Sequence, residues 1–305
     1  MYDIIIVGAG PSGLTAAIYA RRNNKNVLVL EANTYGGQII NTLSIENYPV
    51  NPGISGFDFA TKLYNQVKSL GAEIKFERVT GIKNNKEYKE VITTKNTYKC
   101  KSIILATGSE NRSLGVDKEK ELIGKGISYC ATCDGAFYKG KVVAVVGGGN
   151  TALEDAEYLS NLASKVYLIH RRDTFRADES TVNELKSKEN VEFILNSNVI
   201  KLNGEDKLES ITVKNNNGEE KDLEVSGLFV AVGRNPQNEN FKEIINVDNN
   251  GYIIAGENCH TNIDGIFASG DNRTKELRQL VTACSDGAIA ASEAIKYVNK
   301  DKWEY

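Results

Sequence analysis

The sequence predicts an α/β protein of two Rossmann-like, three-layer domains, with the second domain inserted into the first. One observation is a repeated unit of apolar strand, glycine-rich turn, helix and second strand, starting at residues 2 and 141. Glycines stand where each strand must turn sharply into a helix, as in a β-α-β unit. The other observation is a late strand that ends in Gly270-Asp271 and completes the first copy near the C-terminus. The first domain is therefore predicted to be discontinuous.

The length and composition are typical of a soluble protein with two domains. The chain has 305 residues, of which 25% are charged and 41% hydrophobic, with a formal net charge of -3. This balance argues against a nucleic-acid partner or an anionic membrane surface, and no apolar run is long enough to cross a bilayer. The N-terminus enters a strand at once, which leaves no room for a targeting leader, so we expect a cytoplasmic protein.

The first β-α-β unit carries the residues expected of a dinucleotide site. Its strand, residues 2–7, ends in a turn whose first glycine makes the bend, whose second lets the backbone approach a pyrophosphate, and whose third permits close helix packing. The second strand ends at Glu31, and 31 − 8 = 23 residues separate it from the first glycine. A carboxylate there can accept both hydroxyl hydrogens of an adenosine ribose, as FAD or NAD requires. The candidate residues of the turn are Gly8, Gly10, Pro11, Ser12 and Gly13.

The second unit differs from the first at the position that meets the ribose. Its turn contains Gly147 and Gly149, and the position equivalent to Glu31, 147 + 23 = 170, is His170. Three arginines follow, and guanidinium groups bind a phosphate bidentately where a carboxylate would repel it. The pattern favours NADPH over NADH, although a solvated basic turn is the alternative interpretation. The arginines are Arg171, Arg172 and Arg176.

Two dinucleotide sites in one chain indicate that one nucleotide passes electrons to the other, and FAD is the economical partner for NADPH. Asp271 lies where a carboxylate can hold a ribityl or pyrophosphate group, and a comparable strand, residues 101–108, ends at Gly108. We therefore predict an FAD-binding domain from residues 1–114 and 246–305, and an NADPH-binding domain from residues 115–245. The linkers are expected in the polar segments 113–121 and 246–251.

The pair Cys130 and Cys133, with Asp134 directly after it, is the strongest chemical signal in the inserted domain. A structural zinc site needs a second pair of ligands, and the other cysteines are single and scattered, so no metal is predicted. Two buried thiols close together by chance are the second alternative. A redox pair fits best, since the short ring allows one thiolate to attack disulfides and Asp134 can supply and remove the proton.

The motifs together resemble the low-molecular-weight, bacterial-type thioredoxin reductases. The resemblance covers nearly the whole chain in order, and CATCDG between two dinucleotide turns is its specific part. The matching strings are GAGPSG, GGQ (36–38), ENYP (46–49), SYCATCDG (128–135), GGGNTA, HRRDTFRA (170–177), SGDNR and RQLVTACSDGAIAA (278–291).

The resemblance implies a homodimeric FAD enzyme that moves electrons from NADPH through the flavin and the CxxC disulfide to thioredoxin, with a domain rotation between half-reactions. Cys133 would face the flavin, Cys130 would attack thioredoxin, and Asp134 would be the acid-base group. The FAD site would use Glu31, Gly36, Gly37, Gln38, Asn47, Asp271, Arg278, Gln279 and Leu280. The NADPH site would use Gly149, Asn150, Thr151 and the basic residues from His170 to Arg176.

Three departures from this family pattern bear on FAD binding and the linker. The string NYPVNPG has extra residues, the usual glycine-glutamate near residue 116 is replaced by DKEKE, and Cys284-Ser285 stands where many members have alanine-glycine.

Two alternative functions stay open. One is a flavin enzyme that takes electrons from ferredoxin, although the intact nicotinamide turn and arginines argue against it. The other is a redox sensor in which the cysteines switch once without turnover. The larger glutathione-reductase-like branch is excluded, because the segment IINTLSIENYP has no cysteine and the C-terminal tail has no histidine.

Overall fold

The computed structural model describes residues 1–300, which form two compact units. Met1–Glu110 and the chain from Asn235 onward make the first unit, and Asn111–Arg234 make the second. The strands are β1 Tyr2–Val7, β2 Val27–Glu31, β3 Glu73–Phe76, β4 Val79–Asn84, β5 Lys89–Thr93, β6 Thr97–Leu105, β7 Ser109–Asn111, β8 Ile127–Ser128, β9 Val142–Gly147, β10 Lys165–Ile169, β11 Val191–Ile194, β12 Ser197–Asn203, β13 Ser210–Asn215, β14 Glu220–Glu224, β15 Gly227–Ala231, β16 Arg234–Pro236 and β17 Ile266–Ala268. The helices are α1 Pro11–Arg22, α2 Gly56–Ser69, α3 Ala131–Asp134, α4 Asn150–Ser160, α5 Glu179–Lys186 and α6 Leu280–Lys300.

The main sheet of the first unit has the order β3-β2-β1-β6-β5-β4, and β17 also pairs with β6. The pairs β1-β2, β1-β6 and β17-β6 are parallel, and Val7 and Ala268 both lie opposite Leu105. The carboxyl ends of β1, β6 and β17 therefore meet at one edge of the sheet, which is where ligands bind in such folds.

The two faces of β1 bury alternate residues, as the two-residue period of a strand requires. Ile4 and Ile6 pack with the helices α1 and α6, which cover one face of the sheet. Ile5 and Val7 pack on the other face, where Ile253 belongs to the same cluster. The first unit is thus closed on one side by a helix from each end of its discontinuous chain.

The chain returns from the second unit to the first at Asn235, which is earlier than the boundary predicted at residue 246. Phe241 and Ile245 are buried in the same cluster as Ile5 and Val7, so this stretch belongs to the first unit. The segment expected to be a linker, residues 246–251, is held there by a bridge between Val247 and Ile253. Its polar composition suggested a linker, but the buried apolar residues just before it, Phe241 and Ile245, anchor the segment in the first unit.

The second unit has three layers. A parallel sheet, β11-β10-β9-β15-β8, lies between an antiparallel sheet, β12-β13-β14, and the helices. Val143 and Val145 pack against α4, whereas Ala144 and Val146 pack toward the antiparallel sheet. Together with the parallel sheet of the first unit, this confirms the predicted fold class.

The short strands add two details that the sequence did not reveal. β8 precedes the cysteine pair and pairs with β15, although the first strand of this unit was expected to begin at Lys141. β7 and β16 form a two-stranded ribbon where the chain passes between the units. Within residues 1–300, no helix combines the length and the apolar character that crossing a membrane requires.

Candidate active site

The first glycine turn lies at the sheet edge where β1, β6 and β17 end. Gly8 has a φ of 109°, and a Cβ at this position would collide with the carbonyl of Ala106 at the end of β6. Its amide donates to the carbonyl of Leu30 at 2.8 Å, which ties the turn to β2. Pro11 is the first residue of α1, so its missing N–H costs no helical hydrogen bond. Only glycine satisfies the space and the backbone angle at residue 8.

Glu31 is fixed at the end of β2 by two backbone donors. Its Oε2 accepts from the amide of Ala9 at 2.8 Å, and its Oε1 accepts from the amide of Asn33 at 2.9 Å. Each carboxylate oxygen has two lone pairs, so capacity remains for two further donors. The carboxylate is therefore held beside the glycine turn with acceptor capacity to spare.

Two more candidate FAD residues contact this turn, and two others contact each other. The amide of Gly36 donates to the carbonyl of Ala9 at 2.8 Å, and Gly37 packs against Gly10. Asn47 Nδ2 donates to Gln279 Oε1 at 3.1 Å, which joins two segments that are 232 residues apart in sequence. The GGQ string therefore lies against the first turn, and the ENYP string lies against the C-terminal segment. Gln38 lies in the 3-10 helix Gly37–Asn41, next to Gly37.

Two buried polar atoms at this edge lack a hydrogen-bond partner among the described residues, namely Asn272 Oδ1 and Arg278 Nε. Arg278 also lies over the ring of Tyr252, with 4.1 Å from its guanidinium carbon to the ring centroid. Buried polar groups are seldom left unsatisfied in a folded protein, so these atoms indicate a polar ligand at the site. The residues present therefore fit a bound dinucleotide. Two further candidates are close in sequence to these residues: Asp271 precedes Asn272, and Leu280 is two residues after Arg278. The carbonyl of Gly108 accepts a hydrogen bond from the amide of Gln237 at 3.0 Å.

A buried ionic cluster that the sequence analysis missed supports the turn after β17. Asp286, on α6, accepts from Arg273 at 2.8 Å through each of its oxygens and from Lys275 Nζ at 3.0 Å. The same carboxylate accepts from the amide of Gly270 at 2.9 Å. All three side chains are at most 5% exposed. These hydrogen bonds and the two cations keep the pKa of Asp286 below its ordinary value, although burial alone would raise it. In the sequence, the cluster is indicated only by Asp286, an acid among the small and apolar residues of the string SDGAIAA in α6.

The second glycine turn is contacted by the basic segment predicted to read the ribose. The amide of Arg176 donates to the carbonyl of Gly148 at 2.7 Å, and the amide of Asp178 donates to Asn150 Oδ1 at 3.2 Å. The segment after β10 therefore folds back over the start of α4. Arg171, Arg172 and Arg176 are exposed at this position, and Gly147, Gly149 and Thr151 belong to the turn and the first residues of α4.

His170 packs against the backbone of the second turn. A Cβ on Gly148 would collide with the imidazole ring, and the ring stacks on Phe175 at 5.1 Å between centroids. Its Nε2 forms a hydrogen bond with the carbonyl of Thr174 at 3.1 Å. Burial, followed by the charges of the neighbouring arginines, lowers the pKa of His170, so the ring is neutral at physiological pH. The positive charge of the segment is carried by its arginines.

Cys130 and Cys133 form a disulfide, with 5.3 Å between their Cα atoms. Ser128 lies beneath the pair and connects it to the neighbouring acid, because its Oγ accepts from the amide of Cys130 at 3.0 Å and donates to Asp134 Oδ2 at 2.6 Å. Burial raises the pKa of Asp134 despite the opposing hydrogen bond from Ser128. The acid therefore holds a proton to a higher pH than a free aspartate does, as proton transfer to sulfur requires.

Glu119, inside the segment DKEKE, is a buried acid that the sequence did not single out. It is 3% exposed and accepts from the amides of Leu114 at 2.8 Å and Gly115 at 2.9 Å. The hydroxyl of Tyr129, next to Cys130, donates to the same carboxylate at 2.6 Å. Lys118 has a φ of 64°, the conformation that glycine adopts most readily. The segment therefore supplies a buried glutamate that links the entry of the second unit to the redox pair.

The three remaining cysteines are free thiols. Cys100 and Cys259 are fully buried, and burial raises the pKa of each to about 12, so neither is reactive. Cys284 is half-buried and forms hydrogen bonds with Thr15 and Tyr48, and burial also raises its pKa. In residues 1–300, no group of three or more His, Cys, Asp or Glu side chains is placed to hold a metal ion.

The glycine turns and the disulfide define a class of protein, and comparison with known families agrees. The family model described as "Pyridine nucleotide-disulphide oxidoreductase" matches residues 2–287. The chain belongs to this family, which confirms the resemblance found in the sequence.

The relatives narrow the class further. The chain is 43% identical to the thioredoxin reductase of Listeria monocytogenes over 306 residues, covering 99% of this chain and 95% of the relative. It is 41% identical to the thioredoxin reductase of Bacillus subtilis, covering 98% of this chain and 96% of that protein. The crystal structure of thioredoxin reductase from Streptococcus pyogenes is 41% identical and superposes with a TM-score of 0.94, covering 98% of this chain and 99% of that one.

Proposed function

We propose that the protein is an NADPH-dependent thioredoxin-disulfide reductase that uses FAD and NADPH. The observation that carries the proposal is the Cys130–Cys133 disulfide with a buried acid, Asp134, joined to it through Ser128. The proposal is also supported by relatives named thioredoxin reductase, which are 41% to 43% identical to this chain over nearly its full length.

The first unit is the FAD domain and the second is the NADPH domain. When bound, the two nucleotides would supply hydride and two-electron redox chemistry for reduction of the disulfide. In the first unit, Glu31 would bind the adenosine ribose, the Gly8–Gly13 turn would hold the pyrophosphate, and the C-terminal segment around Arg278 would supply polar donors. In the second unit, the turn from Gly147 to Thr151 would hold the pyrophosphate and the arginines would bind the 2′-phosphate.

Each cysteine has its own role in the exchange with thioredoxin. Cys130, as a thiolate, attacks one sulfur of the substrate disulfide, which forms a mixed disulfide and releases the other sulfur as a thiolate. Asp134 donates the proton that this leaving sulfur takes up. Cys133 then attacks Cys130, which releases the second substrate thiol and restores the disulfide of the enzyme. One substrate disulfide becomes two thiols, and two electrons and two protons are transferred.

The assembly and location follow from the same family assignment. We infer a homodimer that acts in the cytoplasm, with thioredoxin or a thioredoxin-like protein as its partner. The net charge of -3 and the absence of a long basic block favour a protein partner over nucleic acid or an anionic membrane.

An anaerobic titration of the purified yellow protein tests the electron donor. NADPH should bleach the flavin absorbance at stoichiometric amounts, whereas NADH and reduced ferredoxin should act poorly. With thioredoxin in excess, NADPH should be consumed over many cycles. Bleaching by ferredoxin alone would favour the ferredoxin-dependent alternative. A single reduction that then stops would favour the sensor.

Replacing Arg171 and Arg172 by glutamine should weaken NADPH binding by about 1.5–3 kcal/mol for each charged hydrogen bond lost. NADH binding should change little, because NADH has no 2′-phosphate. The dissociation constants of both nucleotides can be measured by calorimetry on the same samples. Lys186→Gln, an exposed cation at the end of α5, is the matched control. Equal losses for both nucleotides would mean that these arginines do not read the phosphate.

A further inference from the structure

A second acid contacts the turn that contains the disulfide. Asp155 lies on α4, and its carboxylate accepts a hydrogen bond from the backbone amide of Ala131. Ala131 is fully buried, and its amide nitrogen is bonded directly to the carbonyl carbon of Cys130. α3 packs against α4 at this point. The carboxylate is therefore held against the backbone of the redox pair, and the exchange described above does not use it.

The surroundings of Asp155 shift its titration toward neutral pH. Burial is the main cause, and the like charge of Glu154 adds to it. Arg234 and the Ala131 amide oppose the shift, and the result raises the pKa of Asp155 to about 7. α3 itself carries one acid, Asp134. An acid that titrates near neutral pH exchanges its proton in response to a small change in local charge.

We propose that Asp155 is a positioning residue for the redox pair, and that it takes up a proton when the Cys130–Cys133 disulfide is reduced. The proposal rests on the redox role given to the pair under the proposed function. It adds a residue outside the CxxC-Asp string, which acts through the Ala131 amide.

The proton balance explains the coupling. Full reduction of the disulfide takes two electrons and two protons and gives two thiols. If one sulfur stays a thiolate, the sulfurs take up only one proton, and a new negative charge stands next to Ala131. A like charge nearby favours the neutral form of an acid, so Asp155 takes the second proton. Reduction and protonation of Asp155 therefore favour one another.

The test measures the disulfide equilibrium directly. The holoenzyme is equilibrated at pH 6.0 to 8.5 with defined mixtures of oxidised and reduced dithiothreitol, quenched in acid and labelled with a maleimide. Mass spectrometry of the peptide that contains Cys130 and Cys133 then gives the reduced fraction without reference to activity. Asp155→Asn keeps an oxygen that can accept from the Ala131 amide but cannot titrate.

We expect the wild-type and Asp155→Asn equilibrium constants to agree within about twofold at pH 6, where Asp155 is protonated in both redox states. Toward pH 8.5 they should separate by about tenfold, the effect of a one-unit pKa difference between those states. Asp155→Glu should restore the pH dependence. Asp155→Ala, which also lacks the acceptor, should differ from wild type at every pH.

Glu157→Gln, an acid two residues further along α4, is the control and should follow the wild type. Superimposable wild-type and Asp155→Asn curves from pH 6.0 to 8.5 would overturn the inference while leaving the proposed function intact. A pair that dithiothreitol cannot reduce in any variant would contradict the proposed function as well, so the two failures are distinguishable.

Discussion

Replacing Cys130 by serine should abolish NADPH-dependent reduction of thioredoxin, with a loss of about three orders of magnitude or more in turnover. The hydroxyl of serine is not a thiolate at neutral pH and cannot form the mixed disulfide. Cys133 alone cannot complete the exchange, because it needs the partner sulfur to restore the disulfide. The measurement is the steady-state oxidation of NADPH with thioredoxin and a protein disulfide as the final acceptor.

The same variant should remain yellow, and NADPH should still bleach its flavin absorbance. Cys284→Ala removes a thiol at a position where many relatives have alanine, and it should retain both properties. Substantial thioredoxin reduction by Cys130→Ser would show that Cys130 is not the sulfur that meets the substrate, and would reverse the roles assigned to the two cysteines.

Asp286→Asn should destabilise the protein by about 3–5 kcal/mol, the cost of removing one partner from a buried ion pair. The substitution leaves the buried guanidinium of Arg273 and the ammonium of Lys275 without their carboxylate. It also weakens the acceptor of the Gly270 amide, so we expect weaker FAD binding. Urea unfolding of the FAD-saturated protein and the FAD dissociation constant report these two effects.

Glu239→Ala is the matched control, because its pair with Lys242 is exposed and should contribute less than about 1 kcal/mol. The pH dependence gives a second check. The folded pKa of Asp286 is depressed, so its stabilisation is present above the ordinary value of 3.8 and is lost as the pH falls through the folded value. The difference between wild type and variant should therefore shrink in acid. A difference that is constant with pH would contradict the charge-based explanation.

Features with a local cause were predictable from the sequence. The glycine turns were found because a strand that turns into a helix needs small residues at fixed spacing, and β1, β2, β9 and β10 fall within a residue of their expected limits. The cysteine pair was found because both sulfurs and the acid are close together in the chain. The approach of the basic segment to the second turn was expected from the fold class, and the Arg176 amide makes that contact.

Features that depend on long-range packing were missed. Glu119 accepts a hydrogen bond from Tyr129, and Asp155 accepts one from the amide of Ala131. In the sequence, both acids look like ordinary surface residues. Asn272 stands next to the predicted Asp271, yet its amide could not be identified as a site residue before its burial was known. The second boundary was predicted at residue 246 and lies at Asn235, because burial of Phe241 depends on strands more than a hundred residues earlier. Composition alone carries no information about such contacts.

The late arrival of β17 and α6 determines the order in which a growing polypeptide can fold on the ribosome. The inserted unit, residues 111–234, has its whole sequence outside the exit tunnel while synthesis is still in progress. The core around β1 and α1 cannot be completed until late in synthesis, because α6, which shares that core, starts only at Leu280. Until then an apolar face of a parallel sheet stays open to chaperones and to other nascent chains. The residues of β1 and α1 are thus synthesised long before α6 and are enclosed only when α6 packs on them.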